Sequence, residues 1–173
     1  MRVEIYGSLL NSKEREKALS GKGIMIELGK EERIGWKLSF DKYSKTWNEA
    51  VLNFVYTGNQ SDVYYTSIYE VDDCAYCRIM DREMGKITSN KWKHYEQIKD
   101  DSYRPKQLDS RFGKTDIFII PEEGRKLTET CGEAKYVKVV RAGIKENYKN
   151  MPTMMEANLN VLKRAIEESK SKK

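Results

Sequence analysis

The sequence predicts an α/β (α+β) fold, in which a mixed, strongly curled sheet or small β-barrel is flanked by a few helices. Residues 23–71 contain several strand-like segments with apolar side chains at alternating positions. The spacing changes to that of a helix over 72–84, and again from Pro152 onward. The chain also has 11 tyrosines, a residue type enriched in strands. Its 173 residues are expected to form a single domain, 1–173.

The first expected elements are a short strand over 3–6, a turn at Gly7 and a short helix. Asn11 can cap that helix, and Glu14 stands three residues later, as in a capping box. The helix is predicted to end near Leu19, before Gly21. The chain therefore opens with a strand, a glycine turn and a helix.

The remaining elements follow from the same patterns. Strands are predicted over 24–27, 34–40, 50–56, 63–71, 92–98, 115–120 and 136–140. The polar stretch 100–114, which contains Pro105, predicts a long surface loop. An amphipathic helix is expected from Pro152, and the basic tail 168–173 is expected to fray.

Charge and hydropathy exclude several classes of protein. The 32 basic and 27 acidic residues give a net charge of +5, but lysines and glutamates are interleaved along most of the chain. A nucleic-acid-binding surface needs basic residues on one face with stacking aromatics, so no nucleic-acid partner is expected. No apolar segment approaches the ~20 residues that span a bilayer, and the first residues lack the apolar core of a signal peptide. We therefore expect no membrane association and a cytoplasmic location.

The cysteines do not predict a disulfide framework or a metal site. There are 3 of them, an odd number. Cys74 and Cys77 form a C-x-x-C pair, but a structural zinc site usually needs four ligands, and only Cys131 and His94 remain. We expect reduced thiols and no bound metal.

Two segments carry residues that suggest chemistry. In Tyr6-Gly7-Ser8-Leu9-Leu10, a glycine between a strand and a helix lets successive backbone N–H groups face one point. Such a nest binds a carboxylate or a developing oxyanion. In the second segment, Glu83 stands in the last turn of a short helix whose other face is apolar. Each segment alone is also consistent with an ordinary turn or a solvated acid.

Together these segments resemble the γ-glutamyl cyclotransferase-like family, in which the first strand ends in Y-G-S-N-L and a later helix carries L-D-x-x-E-G. The segment Ala142-Gly143-Ile144-Lys145-Glu146-Asn147, followed by Pro152 and a helix, is similar to the G-A-K-E-N-G-L-P ending of the vertebrate-type enzymes. The resemblance covers nearly the whole chain, with one motif at each end and one in the middle.

The chain departs from the family pattern at several positions. Leu9 stands where the family has asparagine, so a side-chain hydrogen bond from that position is lost. Two alignments of the middle motif are open. One places Glu83 on the family's acid; the other places Asp81 and Gly85 on the family's Asp and Gly, and Met84 on the acid position. We prefer the first, because it keeps the apolar residues of the helix on one face and an acid at its end.

The resemblance implies that Glu83 is the catalytic acid/base. It also implies a substrate-binding set composed of Tyr6, Gly7, Ser8, Leu9 and Leu10, with Tyr136 and Asn147 as further candidates. The implied reaction releases 5-oxoproline and a free amine from a small-molecule γ-glutamyl substrate, with no cofactor and no metal. The resemblance is also compatible with a homodimer. The alternative is a non-catalytic module on the same fold that binds a small metabolite or a protein.

Overall fold

The computed structural model describes residues 1–84, 103–125, 128–130 and 132–171. Within these ranges the helices are α1 (Ser12–Leu19), α2 (Asp73–Met84), α3 (Lys135–Asn147) and α4 (Pro152–Lys170), with short 3-10 helices at Gly7–Leu10 and Glu122–Gly124. The strands are β1 (Arg2–Ile5), β2 (Met25–Ile34), β3 (Trp36–Ser44), β4 (Glu49–Tyr56), β5 (Val63–Val71), β6 (Arg104–Ser110) and β7 (Gly113–Ile119). The strand expected over 92–98, which includes His94, and the residue Cys131 lie outside the described residues.

Strand β1 lies at the centre of the larger sheet, whose order is β2-β5-β1-β7-β6. It runs antiparallel to β5 and parallel to β7, while β6 and β7 form a hairpin. Strands β3 and β4 form a separate antiparallel pair. The predicted class, a mixed sheet flanked by helices, is confirmed.

A buried carboxylate joins four strands of the larger sheet. The Glu4 side chain of β1 has no exposed surface, and Arg33 of β2 places its Nε 2.7 Å from Glu4 Oε1. The hydroxyls of Thr66 in β5 and Thr115 in β7 donate to the same carboxylate at 2.7 and 3.1 Å. An uncompensated buried charge is costly, so each of these partners helps to fix the register of its strand against β1.

Helix α3 packs against the 3-10 helix Gly7–Leu10, and α4 packs against β3 and β5. The approach of α3 depends on Gly143. A Cβ at that position would lie 2.6 Å from the backbone nitrogen of Asn11 and 2.8 Å from the carbonyl carbon of Leu10. Only glycine leaves room for this contact, which places α3 directly behind the 3-10 helix.

Three expectations from the sequence are wrong. The stretch predicted as a loop over 100–114 contains β6, which pairs with β7 from Arg104 to Ser110. The strand predicted over 136–140 is the beginning of α3, whose buried residues recur at helical spacing: Tyr136, Val137, Val140, Gly143 and Ile144. The tail does not fray from residue 168, because α4 continues to Lys170 and Ser169 is buried, with its Oγ accepting from the backbone N–H of Thr130.

Candidate active site

A pocket opens beside the carboxyl end of β1, where the chain turns into the 3-10 helix. It has an empty volume of about 330 Å³, including the space open to solvent at its mouth. The residues that line it within the described ranges are Glu4, Ile5, Tyr6, Ser8, Leu9, Leu52, Glu83, Tyr103, Phe118 and Tyr136. The N-terminal turn and the end of α2, which are far apart in the sequence, meet here.

Gly7 allows the chain to turn sharply from β1 into the 3-10 helix. Its φ of 62° lies in the left-handed region that favours glycine, and a Cβ there would lie 3.0 Å from the Tyr136 hydroxyl. Ser8 and Leu9 are buried on the turn. The start of a helix leaves its first backbone N–H groups without intrahelical acceptors. That these groups hold an anion stays a prediction.

Glu83 reaches the pocket from the last turn of α2, and its side chain is 17% exposed. Burial raises the pKa of the Glu83 carboxyl above its usual range, while the positive charges of Arg82 and Lys42 oppose the rise. A carboxyl group with a raised pKa is a better proton acceptor, and it gives the proton up again closer to neutral pH.

Arg82 connects α2 with α1 and with the 3-10 helix. Its Nε lies 3.5 Å from Glu83 Oε1, and its Nη2 donates to Ser8 Oγ at 3.2 Å. The same guanidinium is anchored on Glu14 of α1, donating to the backbone oxygen at 2.8 Å and to Oε2 at 3.2 Å. Arg82 therefore holds the acid and the turn in a fixed relation from outside the pocket lining.

Three tyrosines surround the acid. Tyr6 donates its hydroxyl to the Phe118 carbonyl at 2.7 Å, and Tyr103 donates to the Leu52 carbonyl. Burial raises the pKa of both phenols well above 10, and it raises the pKa of Tyr136 to about 12. Tyr136 accepts from the Leu52 N–H at 3.4 Å, and its hydroxyl also interacts with the Ser8 side chain. All three phenols remain protonated at neutral pH and act as dipoles, not charges.

The sequence-predicted residues are only partly brought together. Tyr6, Ser8, Leu9, Glu83 and Tyr136 line the pocket, and Gly7 lies against the Tyr136 hydroxyl. Leu10, the last residue of the 3-10 helix, is fully buried and does not line the pocket. Asn147 at the end of α3 donates from its Nδ2 to the Leu10 carbonyl and lines a different pocket.

Sequence reasoning missed Arg82, Leu52, Tyr103 and Phe118. Tyr103 falls in the stretch that was predicted as a loop. Phe118 belongs to β7, which pairs with β1, and Leu52 belongs to β4 of the smaller sheet, so their places in the pocket depend on the topology. Arg82 has a detectable signal, since it directly precedes the predicted acid on the same helix end.

Neither a metal cluster nor a membrane helix is found in the part of the chain that the structure describes. Residues 1–84, 103–125, 128–130 and 132–171 contain no group of three or more His, Cys, Asp or Glu side chains arranged to hold a metal ion. None of the helices within those ranges combines the length and the apolar character needed to cross a bilayer. Cys74 and Cys77 on α2 are free thiols.

Comparison with known proteins gives matches at the level of structure. No family model matches the chain, and no curated protein matches its sequence. A solved γ-glutamyl cyclotransferase superimposes with a TM-score of 0.61 at 13% identity, covering 97% of this chain and 98% of that one. An uncharacterized protein from Homo sapiens gives a TM-score of 0.61 at 14% identity, over 90% of this chain and 85% of that one.

A third match, YkqA from Bacillus subtilis, gives a TM-score of 0.64 at 14% identity. It covers 96% of this chain but only 54% of the longer protein. Identities this low establish a shared fold and not a shared reaction. The resemblance drawn from the sequence is thus confirmed at the level of architecture: this chain has the fold of a γ-glutamyl cyclotransferase.

Proposed function

We propose that this chain is a γ-glutamyl cyclotransferase-type enzyme that releases 5-oxoproline and a free amine from a small γ-glutamyl amide. The observation that carries the proposal is that the Glu83 carboxyl shares one pocket with Ser8 and Leu9 of the glycine turn. This arrangement supports the alignment that places Glu83 on the family's acid. In the alternative alignment the acid position would be Met84, a buried side chain at the end of the same helix.

The reaction needs a proton acceptor, a proton donor and a site for a developing oxyanion. Glu83 takes a proton from the substrate's α-ammonium, and the freed amine nitrogen attacks the γ-carbonyl carbon of the same molecule. Because the attack is intramolecular, the reacting groups are already close together, which lowers the activation free energy by ~7–11 kcal/mol when they are well oriented. Glu83 then gives its proton to the leaving nitrogen as the C–N bond breaks. The second proton on the ring nitrogen passes through the Glu83 carboxylate to the released amine, which leaves as an ammonium, so no water is consumed and Glu83 is again a carboxylate.

The glycine turn and its neighbours are proposed to bind the oxyanion and the substrate carboxylate. The backbone N–H groups at the start of the 3-10 helix and the Tyr136 hydroxyl are the donors proposed to face them. Because Tyr136 keeps its proton with a pKa of about 12, it can donate a hydrogen bond without becoming charged. A single well-placed donor is typically worth ~3–4 kcal/mol in the transition state.

The test is Glu83→Gln, assayed for 5-oxoproline release from a γ-glutamyl amino acid, a γ-glutamyl peptide and an ε-(γ-glutamyl)lysine. Glutamine keeps the shape of the side chain but cannot shuttle a proton, so the rate should fall by ~10²–10⁴-fold. The matched control is Asp81→Asn, which alters a carboxyl on the same helix and should keep most of the activity.

Two outcomes would contradict the proposal. If Glu83→Gln retains the wild-type rate, Glu83 is not the acid/base. If the wild-type protein turns over none of the γ-glutamyl amides, the chain is a binding module on this fold, with Leu9 marking the altered pocket.

A further inference from the structure

A second pocket lies at the other end of α3, since Tyr136 at the start of this helix lines the first pocket and Asn147 at its end lines the second. Its cavity volume is about 340 Å³, which is at the lower end of the range of small-ligand sites. Its lining within the described ranges is predominantly charged or amide-bearing: Arg15, Glu27, Lys30, Glu146, Asn147, Lys149, Asn150 and Met151. None of these residues has a role in the proposed reaction; Asn147 was a substrate-binding candidate from the resemblance, but the structure places it here and not beside Glu83.

A β-bulge builds the floor of this second pocket. In a regular strand, Glu27 and Lys30 would point to opposite faces of the sheet, because they are three residues apart. The register of β2 on β5 shifts between Glu27 and Gly29, so that Glu27 pairs with Tyr69 and Lys30 pairs with Ser67. The inserted residue brings both charged side chains to one face, as bulges near functional sites often do.

Lys30 is an unusual residue for this position, since its side chain is only 5% exposed. Its ammonium donates to Glu27 and, at 2.9 Å, to Ser67 Oγ, and it lies 4.8 Å from the centre of the Tyr148 ring. All three N–H bonds are therefore used. Replacing a buried ion pair with apolar residues is often neutral or stabilising, so stability alone does not explain why the pair is present.

Two further cations line the pocket, Arg15 and Lys149, and both can still bind a ligand. Arg15 donates from Nη1 to the carbonyls of Leu9 and Leu10, at 2.9 and 2.7 Å, and its guanidinium lies 5.3 Å from the Tyr69 ring centre. Within the described residues its Nε and Nη2 make no hydrogen bond, and the exposed Lys149 forms no ion pair. A guanidinium with two free adjacent donors matches a carboxylate.

The charged side chains that line the second pocket carry a net positive charge. Three cations face two carboxylates, with Lys30 neutralised by Glu27, and Glu146 set between Arg15 and Lys149. Hydrogen bonds from the side chain and the backbone N–H of Ser12, with smaller contributions from Arg15 and Lys149, hold the pKa of Glu146 below its usual range against the effect of burial, so the Glu146 carboxylate is ionised at neutral pH and able to accept from an N–H donor. The complementary ligand carries one carboxylate and a neighbouring N–H group.

We propose that this pocket is a second binding site, for a small organic acid that carries a carboxylate next to an N–H donor, such as an α-amino acid or a lactam acid. The carboxylate pairs with Arg15 and Lys149, and the N–H group faces the carboxylates of Glu27 and Glu146. Since Arg15 and Asn147 also hold the carbonyls of Leu9 and Leu10, a bound ligand steadies the 3-10 helix from behind.

The test is a titration of the full chain followed by two-dimensional NMR, with four five-membered-ring probes. L-Proline and 5-oxoproline carry both groups, 2-pyrrolidinone lacks the carboxylate, and cyclopentanecarboxylate lacks the N–H. We expect saturable shifts of the amides of 27–30 and 146–151 with the first two probes only. Lys149→Glu, which reverses an exposed charge, should weaken binding by about tenfold or more, whereas Lys163→Glu on α4 should not.

Binding here requires no turnover, so the result does not depend on the catalytic proposal. The proposal fails if 2-pyrrolidinone binds as well as 5-oxoproline, or if the two lysine variants weaken binding equally. It also fails if no probe gives a saturable shift, or if the shifts are confined to the turn and to residues around Glu83.

Discussion

Glu83 is held between opposing influences. Burial among Tyr6, Tyr103 and Tyr136 removes water from its carboxyl group, while Arg82 and Lys42 supply positive charge. Burial is the larger of the two, so the pKa is raised in the folded protein. An unfolded chain exposes the same carboxyl group to water, where its pKa returns to about 4.3.

This difference predicts how Glu83 affects stability. A carboxyl group whose pKa is higher in the folded state binds its proton more tightly when folded. The stabilisation that comes from this tighter proton binding is therefore fully present below the pKa of the unfolded state and is lost as the pH rises through the pKa of the folded state. At pH 7, Glu83→Gln should raise the free energy of unfolding above that of the wild type, and the difference should vanish in acid.

Urea unfolding of both proteins at a series of pH values measures this difference. Glu16→Gln, at an exposed position on α1, is the control and should stay within ~0.5 kcal/mol of the wild type throughout. A wild-type protein whose stability relative to Glu83→Gln increases as the pH rises would mean that the folded state favours the charged carboxylate.

At the scale of elements, sequence patterns identify some segments and misread others. The predicted start of α1 is correct because the capping residue lies next to the helix in the sequence: the Glu14 N–H donates to the Asn11 side chain at 3.3 Å. The segment 136–140 was misread because it is rich in β-branched valine, which favours strands. Its buried positions repeat with the period of a helix only when Gly143 and Ile144 are included. β6 was missed because its polar side chains lie in an edge strand.

Gly143 provides a test of how closely α3 must approach the 3-10 helix. Helix propensity alone would favour Gly143→Ala by ~1 kcal/mol. The added Cβ would meet backbone atoms of Leu10 and Asn11, which cannot move aside like a flexible side chain. We expect net destabilisation of about 1–3 kcal/mol, measured by urea unfolding, together with slower 5-oxoproline release as α3 and the 3-10 helix separate.

The neighbouring residue gives the control for this prediction. Ala142 is exposed on the same helix, so Ala142→Gly should cost only the propensity difference of ~1 kcal/mol and leave the rate of release unchanged. A Gly143→Ala protein that is more stable than the wild type would show that the two elements have room to spare.

At the scale of the whole molecule, the Glu4 network links β1 to both of its neighbours and to β2. Glu4→Met or Arg33→Met alone should destabilise by ~3–5 kcal/mol, because each leaves a buried charge without its partner. The double variant removes both charges and should cost less than either single change. Equilibrium unfolding of the four proteins forms a double-mutant cycle. Additive effects would mean that the two side chains do not depend on each other.

The composition of the pocket could be predicted only in part for reasons of topology. Glu83 and the turn after β1 carry motifs that are visible in the chain itself. Tyr103 and Leu52 enter the same pocket because Tyr103 and strand β4 come close to the end of β1 in the folded chain, and no local pattern encodes that arrangement. Periodicity along the sequence cannot identify residues that meet only because distant segments pack together in the folded chain.

The central place of β1 has a consequence for biosynthesis. Strand β1 is made before both of its partners, β5 and β7, the second of which ends at Ile119. At a translation rate of roughly 5–20 residues per second, the edge of β1 that pairs with β7 stays unpaired for on the order of ten seconds, until β7 has been made. Throughout that interval Val3 and Ile5, which are buried in the finished protein, belong to a nascent chain with an unpaired strand edge. The larger sheet is therefore completed only after β7 has been made, and a chain that stalls before β7 keeps this edge of β1 unpaired.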